Sequence, residues 1–175
     1  MSLRRDVFIE KMSWDLTSYE TLEFEQYDTL GYATYVVAHD GDRVLAGCRL
    51  IRCDQLVGGQ SNQFTYMIKD AYDGRIELPS EICFKSPPED DVHWELTRLA
   101  AVRGNRRAVL AVMRASRDYL VVQKAKSCLC LASPTVQRLA RISGFETRPI
   151  GPVCGNEDGK FLAFEIPIQV GSEME

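Results

Sequence analysis

The stretch Trp94-Glu95-Leu96-Thr97-Arg98-Leu99-Ala100-Ala101-Val102-Arg103-Gly104-Asn105-Arg106-Arg107-Ala108 decides the fold. Its first half reads as a strand over His93–Val102, buried toward the Leu99–Val102 end. A loop with one glycine and three arginines follows. Ala108–Lys126 then sets Val109, Val112, Met113, Ser116 and Leu120 along one stripe, which predicts a core-facing helix. Ser127–Ala132 is a short apolar strand. Strand, helix and strand in that order form a crossover unit, whose two strands lie parallel in one sheet.

Reading outward, Ser133-Pro134 supplies an N-cap with proline behind it, and the helix it opens runs to Ser143 with Gly144 as its C′ residue. Phe145–Ile150 and Phe161–Ile168 are two further strands around a turn at Gly155–Gly159. On the N-terminal side, Tyr32–Ala38, the Asp40-Gly41 step and the alternating run Arg43–Cys53 predict a hairpin. Residues 54–91 carry Gly58-Gly59, Pro79 and Pro87-Pro88, and read as irregular connections around one short helix at Phe64–Tyr72. Residues 3–13 place Val7, Phe8 and Met12 at helical spacing, and 15–31 read as an acidic, irregular segment lying over the domain. The sum is an α/β chain with a mixed central β-sheet flanked by helices, one domain over 1–175.

An apolar content of 45% and a charged content of 26% fit a soluble globular domain and exclude a disordered or collagen-like chain. No apolar run approaches the roughly 20 residues of a membrane span. Met1–Asp6 has no apolar segment of a secretory signal behind its arginines, so the expected location is the cytoplasm. A net charge of −4 argues against a general nucleic-acid binder. The six cysteines contain no C-x-x-C pair and His39 and His93 are remote from them in sequence; they read as reduced, mostly buried thiols and not as a metal site. Charge is unevenly spread. Asp15–Asp28 holds five acids and no base, whereas Arg103–Lys126 holds seven bases against the single acid Asp118, a block that suits an anionic partner or a phosphate-bearing ligand.

The junction between strand and helix is the natural ligand site, because the first N–H groups of a helix are unpaired and its dipole is positive there. Element order and the loop Arg103-Gly104-Asn105-Arg106-Arg107-Ala108 together resemble the GNAT fold of acyl-CoA N-acyltransferases, whose Arg/Gln-x-x-Gly-x-Gly/Ala loop holds a pyrophosphate. Arg106 stands where the middle glycine belongs, which hints at an acyl donor other than ordinary acetyl-CoA.

A second set of residues is more specific. Arg4-x3-Phe8-x5-Trp14-Asp15 precedes Glu23-Phe24-Glu25-Gln26-Tyr27-Asp28; then come Gly47-Cys48-Arg49-Leu50, Tyr66-Met67-Ile68-Lys69 and Trp94-Glu95-Leu96-Thr97-Arg98. Over nearly the whole chain this resembles the LuxI-type acyl-homoserine-lactone synthases, whose pattern is Arg-x3-Phe, Trp, Glu-x-Asp-x-Tyr-Asp, an arginine on the hairpin strand, Tyr-Met-Leu-Lys and Glu-x-Ser-Arg. The chain departs from it at Glu25 (family Asp), Thr97 (Ser), Tyr72 (Phe) and Asp73 (Pro). Only three residues precede Arg4, where the family has roughly a strand and part of a helix, so that element is expected to be missing.

The resemblance implies acyl transfer from acyl carrier protein to the amine of S-adenosylmethionine, with lactonisation, loss of methylthioadenosine and no cofactor. The product would be a quorum-sensing signal. It carries over Glu95, Arg98, Glu25 and Asp28 as catalytic residues. Arg4, Phe8, Trp14, Glu23, Arg49 and Thr97 become substrate-binding, and Arg103, Arg106, Arg107 and Cys130 belong to the acyl donor or its carrier.

Elementary chemistry agrees. Acids suit a sulfonium and an amine, arginines suit a carboxylate, and Phe8 and Trp14 offer faces to an adenine or a cation. Glu95 on a strand edge is a candidate general base. Plainer readings stand beside these: Phe8 and Trp14 as core, and Glu25–Arg49 and Glu95–Arg98 as structural ion pairs. Other functions weighed are an acyl-CoA N-acyltransferase with another amine acceptor, and a family member that binds without turnover.

Overall fold

The computed structural model describes residues 1–14, 16, 18–19, 22–59, 62–156 and 159–168. It opens with α1 (Ser2–Arg5), which widens into a π-type turn over Asp6–Lys11, so the helix expected at 3–13 is two short pieces. The wider turn changes the side-chain phase, and Arg4 and Phe8 are the residues these pieces bury. The acidic segment is more ordered than its composition suggests. β1 (Ser18–Tyr19) pairs with β2 (Leu22–Glu23), and Gln26–Asp28 forms a 3₁₀ turn closed by a reciprocal capping box between Glu25 and Asp28.

The hairpin of β3 (Ala33–Asp40) and β4 (Arg43–Arg52) is as expected, with Gly41 at φ +55 in its turn. Phe64 belongs to β6 (Asn62–Phe64), paired with β5 (Val57–Gly59), so the short helix α2 is confined to Met67–Tyr72. Then follow β7 (His93–Ala101), α3 (Arg106–Val122), β8 (Ser127–Ala132), α4 (Pro134–Ile142), β9 (Arg148–Asn156) and β10 (Gly159–Pro167). α3 starts two residues early because the Asn105 side chain caps it, accepting from the Ala108 N–H at 3.1 Å. It stops at Val122 because Lys124 turns left-handed at φ +56. Phe145 lies outside any strand, since β9 begins at Arg148.

Six strands form one sheet in the order β3-β4-β7-β8-β10-β9, with β7 and β8 its parallel pair. One face packs on α2 through Tyr27, Ile51, Tyr66, Ile68, Leu129 and Ala163. The other packs Leu50, Trp94, Cys128, Cys130, Phe164 and Ile166 with Leu120 of α3. At Gly151 a Cβ would sit 1.6 Å from the Ile82 carbonyl oxygen, so only glycine lets the Ser80–Ile82 turn lie against β9. Among the described residues no helix is long and apolar enough to cross a membrane.

The β7–β8 ladder stops at Leu96–Cys130, although both strands continue. Next to that point Arg98 sits at φ +53, and the β4–β7 register shifts between Gly47 and Arg49. A non-glycine residue there is strained and bulges the strand, which turns β7 away from β8. The site occupies the resulting gap.

Candidate active site

A cavity of about 840 Å³ threads the gap between β7 and β8. On one side of the sheet it is lined by Phe8, Trp14, Glu25, Tyr27 and Phe161; on the other by Met113, Leu120, Cys130, Phe164 and Ile166; Leu96, Thr97 and Arg98 lie between. One arm is thus aromatic and charged, the other apolar.

The charged arm rests on three arginines and three acids. Arg4 forks onto Asp28 through two hydrogen bonds of 2.7 and 3.0 Å and pairs with Glu23 through Nε. Arg49, fully buried on β4, donates to Asp28 at 3.0 Å, to Glu25 at 2.5 Å and to the Thr97 hydroxyl at 3.1 Å. Arg98 donates to Glu23 at 3.2 Å and to Glu25 at 2.6 Å. Tyr35 donates its hydroxyl to Asp28. Three positive and three negative charges are matched inside one set, which ties the N-terminal segments to the sheet. Burial would raise the Asp28 carboxyl, but the Arg4 hydrogen bonds and the Arg49 charge outweigh it and hold Asp28 well below the usual carboxylate range.

This differs from an open array of acids for cations and arginines for a carboxylate. The expected Glu25–Arg49 pair is present, whereas Arg98 turns to Glu23 and Glu25 and not to Glu95. The reason is the strand geometry. Glu95 faces α2, where its two carboxylate oxygens accept from the backbone N–H groups of Met67 at 3.0 Å and Ile68 at 2.7 Å. It caps a helix that has no side-chain cap of its own at Tyr66. Full burial pushes its carboxyl up to about 7, against the pull of those two N–H donors. Glu95 does not line the cavity.

Of the network, Glu25 and Arg98 line the cavity, with Thr97 beside them; Arg4, Glu23, Asp28 and Arg49 stand behind. Phe8 stacks on Trp14 with centroids 5.1 Å apart and 13° between planes, and Arg98 lies over the Phe8 ring at 5.4 Å. Phe161 meets Trp14 edge-on at 6.3 Å. Phe8 is therefore both core and cavity wall, and Trp14, half-buried, is cavity wall. Asp15, next to Trp14 in the motif, lies outside the described residues.

Cys130 lines the apolar arm, with Cys128 on the same face of β8. Arg103, Arg106 and Arg107 are exposed at the start of α3, outside the cavity, and Arg114, Arg138, Arg141 and Arg117, the last of which also borders the cavity, continue an exposed basic surface over α3 and α4. Among the described residues none of these seven makes an ion pair. Missed in the sequence was Asp70, fully buried, which accepts from the Tyr27 hydroxyl at 2.7 Å and from Thr65, and so fixes the segment that carries Glu25. The strand 160–167 and the residues near Cys130-Leu131 are legible in the sequence as chain-pocket lining, and Phe161, Phe164, Ile166 and Leu131 do line the cavity; the contribution of Met113 and Leu120 from α3 was missed.

A sequence model of the family described as autoinducer synthase matches residues 1–74. The acyl-homoserine-lactone synthase of Aeromonas salmonicida is 32% identical over 158 residues, 85% of this chain and 68% of that one. Two solved structures share the fold. TofI, in a ternary complex with an inhibitor and MTA, has a TM-score of 0.78 at 21% identity, over 95% of this chain and 81% of its own. BjaI, a CoA-dependent acyl-homoserine lactone synthase with SAM and isopentyl-CoA, has a TM-score of 0.77 at 23% identity, over 96% and 74%. With Phe8, Trp14, Glu25, Thr97 and Arg98 of the motifs at one cavity, these similarities make the chain a member of the autoinducer synthase family, the acyl-homoserine-lactone synthases, and so an acyltransferase of the GNAT-like fold.

Proposed function

We propose that the chain acylates the amine of S-adenosylmethionine from an acyl carrier protein and then closes the lactone. The observation that carries this is the cavity with two unlike arms meeting where β7 and β8 part. S-adenosylmethionine lies in the aromatic, charged arm, its adenine or sulfonium against Phe8 and Trp14. Glu25 and Arg98 set the edge of that arm, and Arg4, Glu23, Asp28, Arg49 and Thr97 hold the two in place. The deprotonated amine attacks the thioester carbonyl at the gap, where backbone groups left by the interrupted ladder face the developing oxyanion. The C–N bond forms, the C–S bond breaks, and the amine's proton leaves with the thiol. The carboxylate then attacks the carbon bearing the sulfonium, and methylthioadenosine departs as a neutral thioether. Glu95 is a positioning residue in this reading, supported by its hold on α2 through the Met67 and Ile68 N–H groups.

Two features support a carrier protein as donor. The exposed arginines of α3 and α4 suit an acidic partner. Asn105 also occupies a first-turn N–H of α3 that a pyrophosphate would use. An acyl-CoA donor is the second reading, favoured by the CoA-dependent relative in fold BjaI. Product mass spectrometry with matched acyl-carrier-protein and acyl-CoA donors, across a salt series, separates the two. The expected outcome is a higher kcat/KM with the carrier that declines as salt rises. Equal or better use of acyl-CoA, insensitive to salt, refutes the carrier reading.

A further inference from the structure

Resting on the synthase reading, we propose that the apolar arm is built for an acyl chain of about ten to twelve carbons. β8 and β10 form its wall. They run antiparallel with Phe164 opposite Cys130 and Ile166 opposite Cys128, so these four side chains stand on one face in two successive tiers. The upper tier is level with Leu96, where the β7–β8 ladder ends and the two arms meet. At the other end the described lining runs out to Leu120 of α3 and to Ile168, whose N–H donates to the Lys126 carbonyl at 2.9 Å.

That end lies four residues along the strand from Phe164, and at about 3.3 Å per residue the arm is about 13 Å deep. A C–C bond of about 1.5 Å at a tetrahedral angle advances an extended chain by about 1.25 Å. The depth therefore takes about ten carbons beyond the carbonyl.

The test is a donor series of four to sixteen carbons, assayed with the full chain by product mass spectrometry. The expected kcat/KM peaks at ten to twelve carbons. It falls about fourfold for each methylene removed, as lost apolar burial requires, and falls steeply beyond fourteen. Cys128→Leu fills the lower tier and moves the peak to about eight carbons; Leu120→Ala opens the end and moves it to longer chains. A peak at four to six carbons, or folded variants that leave the length profile unmoved, would each overturn the proposal. Absence of product with every donor instead overturns the synthase reading on which it rests.

Discussion

Arg98 is where local strain becomes a site. A left-handed arginine in mid-strand costs on the order of 1–3 kcal/mol, and here it is held by Glu23 and Glu25 and by the Phe8 ring beneath its guanidinium. Glu25 spans two arginines, giving one oxygen to Arg49 and the other to Arg98. Glu25→Ala leaves both short of a partner, and the expected result is weaker S-adenosylmethionine binding by about 1–3 kcal/mol, read by calorimetry. Glu25→Asp should be tolerated, since a new rotamer recovers much of the lost reach; equal binding by parent and alanine variant removes Glu25 from that role. Glu95 makes a different prediction. Its carboxyl titrates higher folded than unfolded, so folding takes up a proton; the associated stability is full below the ordinary carboxylate range and is lost as pH rises through about 7. Glu95→Gln should flatten the fall in Tm between about pH 5 and 8. The acidic limb of the kcat–pH profile should stay in place, whereas a true base would take that limb with it.

At the scale of the element, α3 has two lives. Its inner stripe of Ala108, Val112, Met113, Ser116 and Leu120 walls the core and the apolar arm. Its outer face is basic and unpaired among the described residues. Reversing Arg106 and Arg107 to glutamate changes the charge by four units on that face without touching the stripe. We expect KM for the carrier-bound donor to rise by about tenfold at low salt, with little change for acyl-CoA and in Tm. A KM that does not move, or an equal rise for both donors, refutes docking at this end of the helix.

For the molecule as a whole, the matched set of arginines and acids joins the N-terminal turns, the acidic segment, β4 and β7. Removing one buried partner strands the others, at a cost of about 3–5 kcal/mol. Asp28→Asn should therefore lower Tm at neutral pH by about 6–20 °C. Because the Asp28 carboxyl lies below its ordinary range when folded, its stabilisation is present above that range and is lost as pH falls. The difference in Tm between parent and Asp28→Asn should shrink on acidification, and thermal scans from about pH 7 to pH 3 show whether it does.

The crossover unit, the hairpin and α4 were legible in the chain because each is written locally: a 3.6-residue stripe, an Asp-Gly turn, a Ser-Pro cap. The motif residues were legible too, since their chemical types recur in a recognisable order. Their partners were not. Glu95 and Arg98 are three apart and look like a pair, yet a pleated strand sends residues 95 and 98 to opposite faces unless a bulge intervenes, and the one at Arg98 aims it at Glu23, 75 positions away. The depth of the apolar arm likewise follows from the register of β8 on β10 and the place where β7 leaves β8. Composition and spacing determined which elements form and which chemistry they carry. Which side chains meet, which charges cancel and how deep the cavity runs were decided only by tertiary structure, because those depend on distances between segments that no local period encodes.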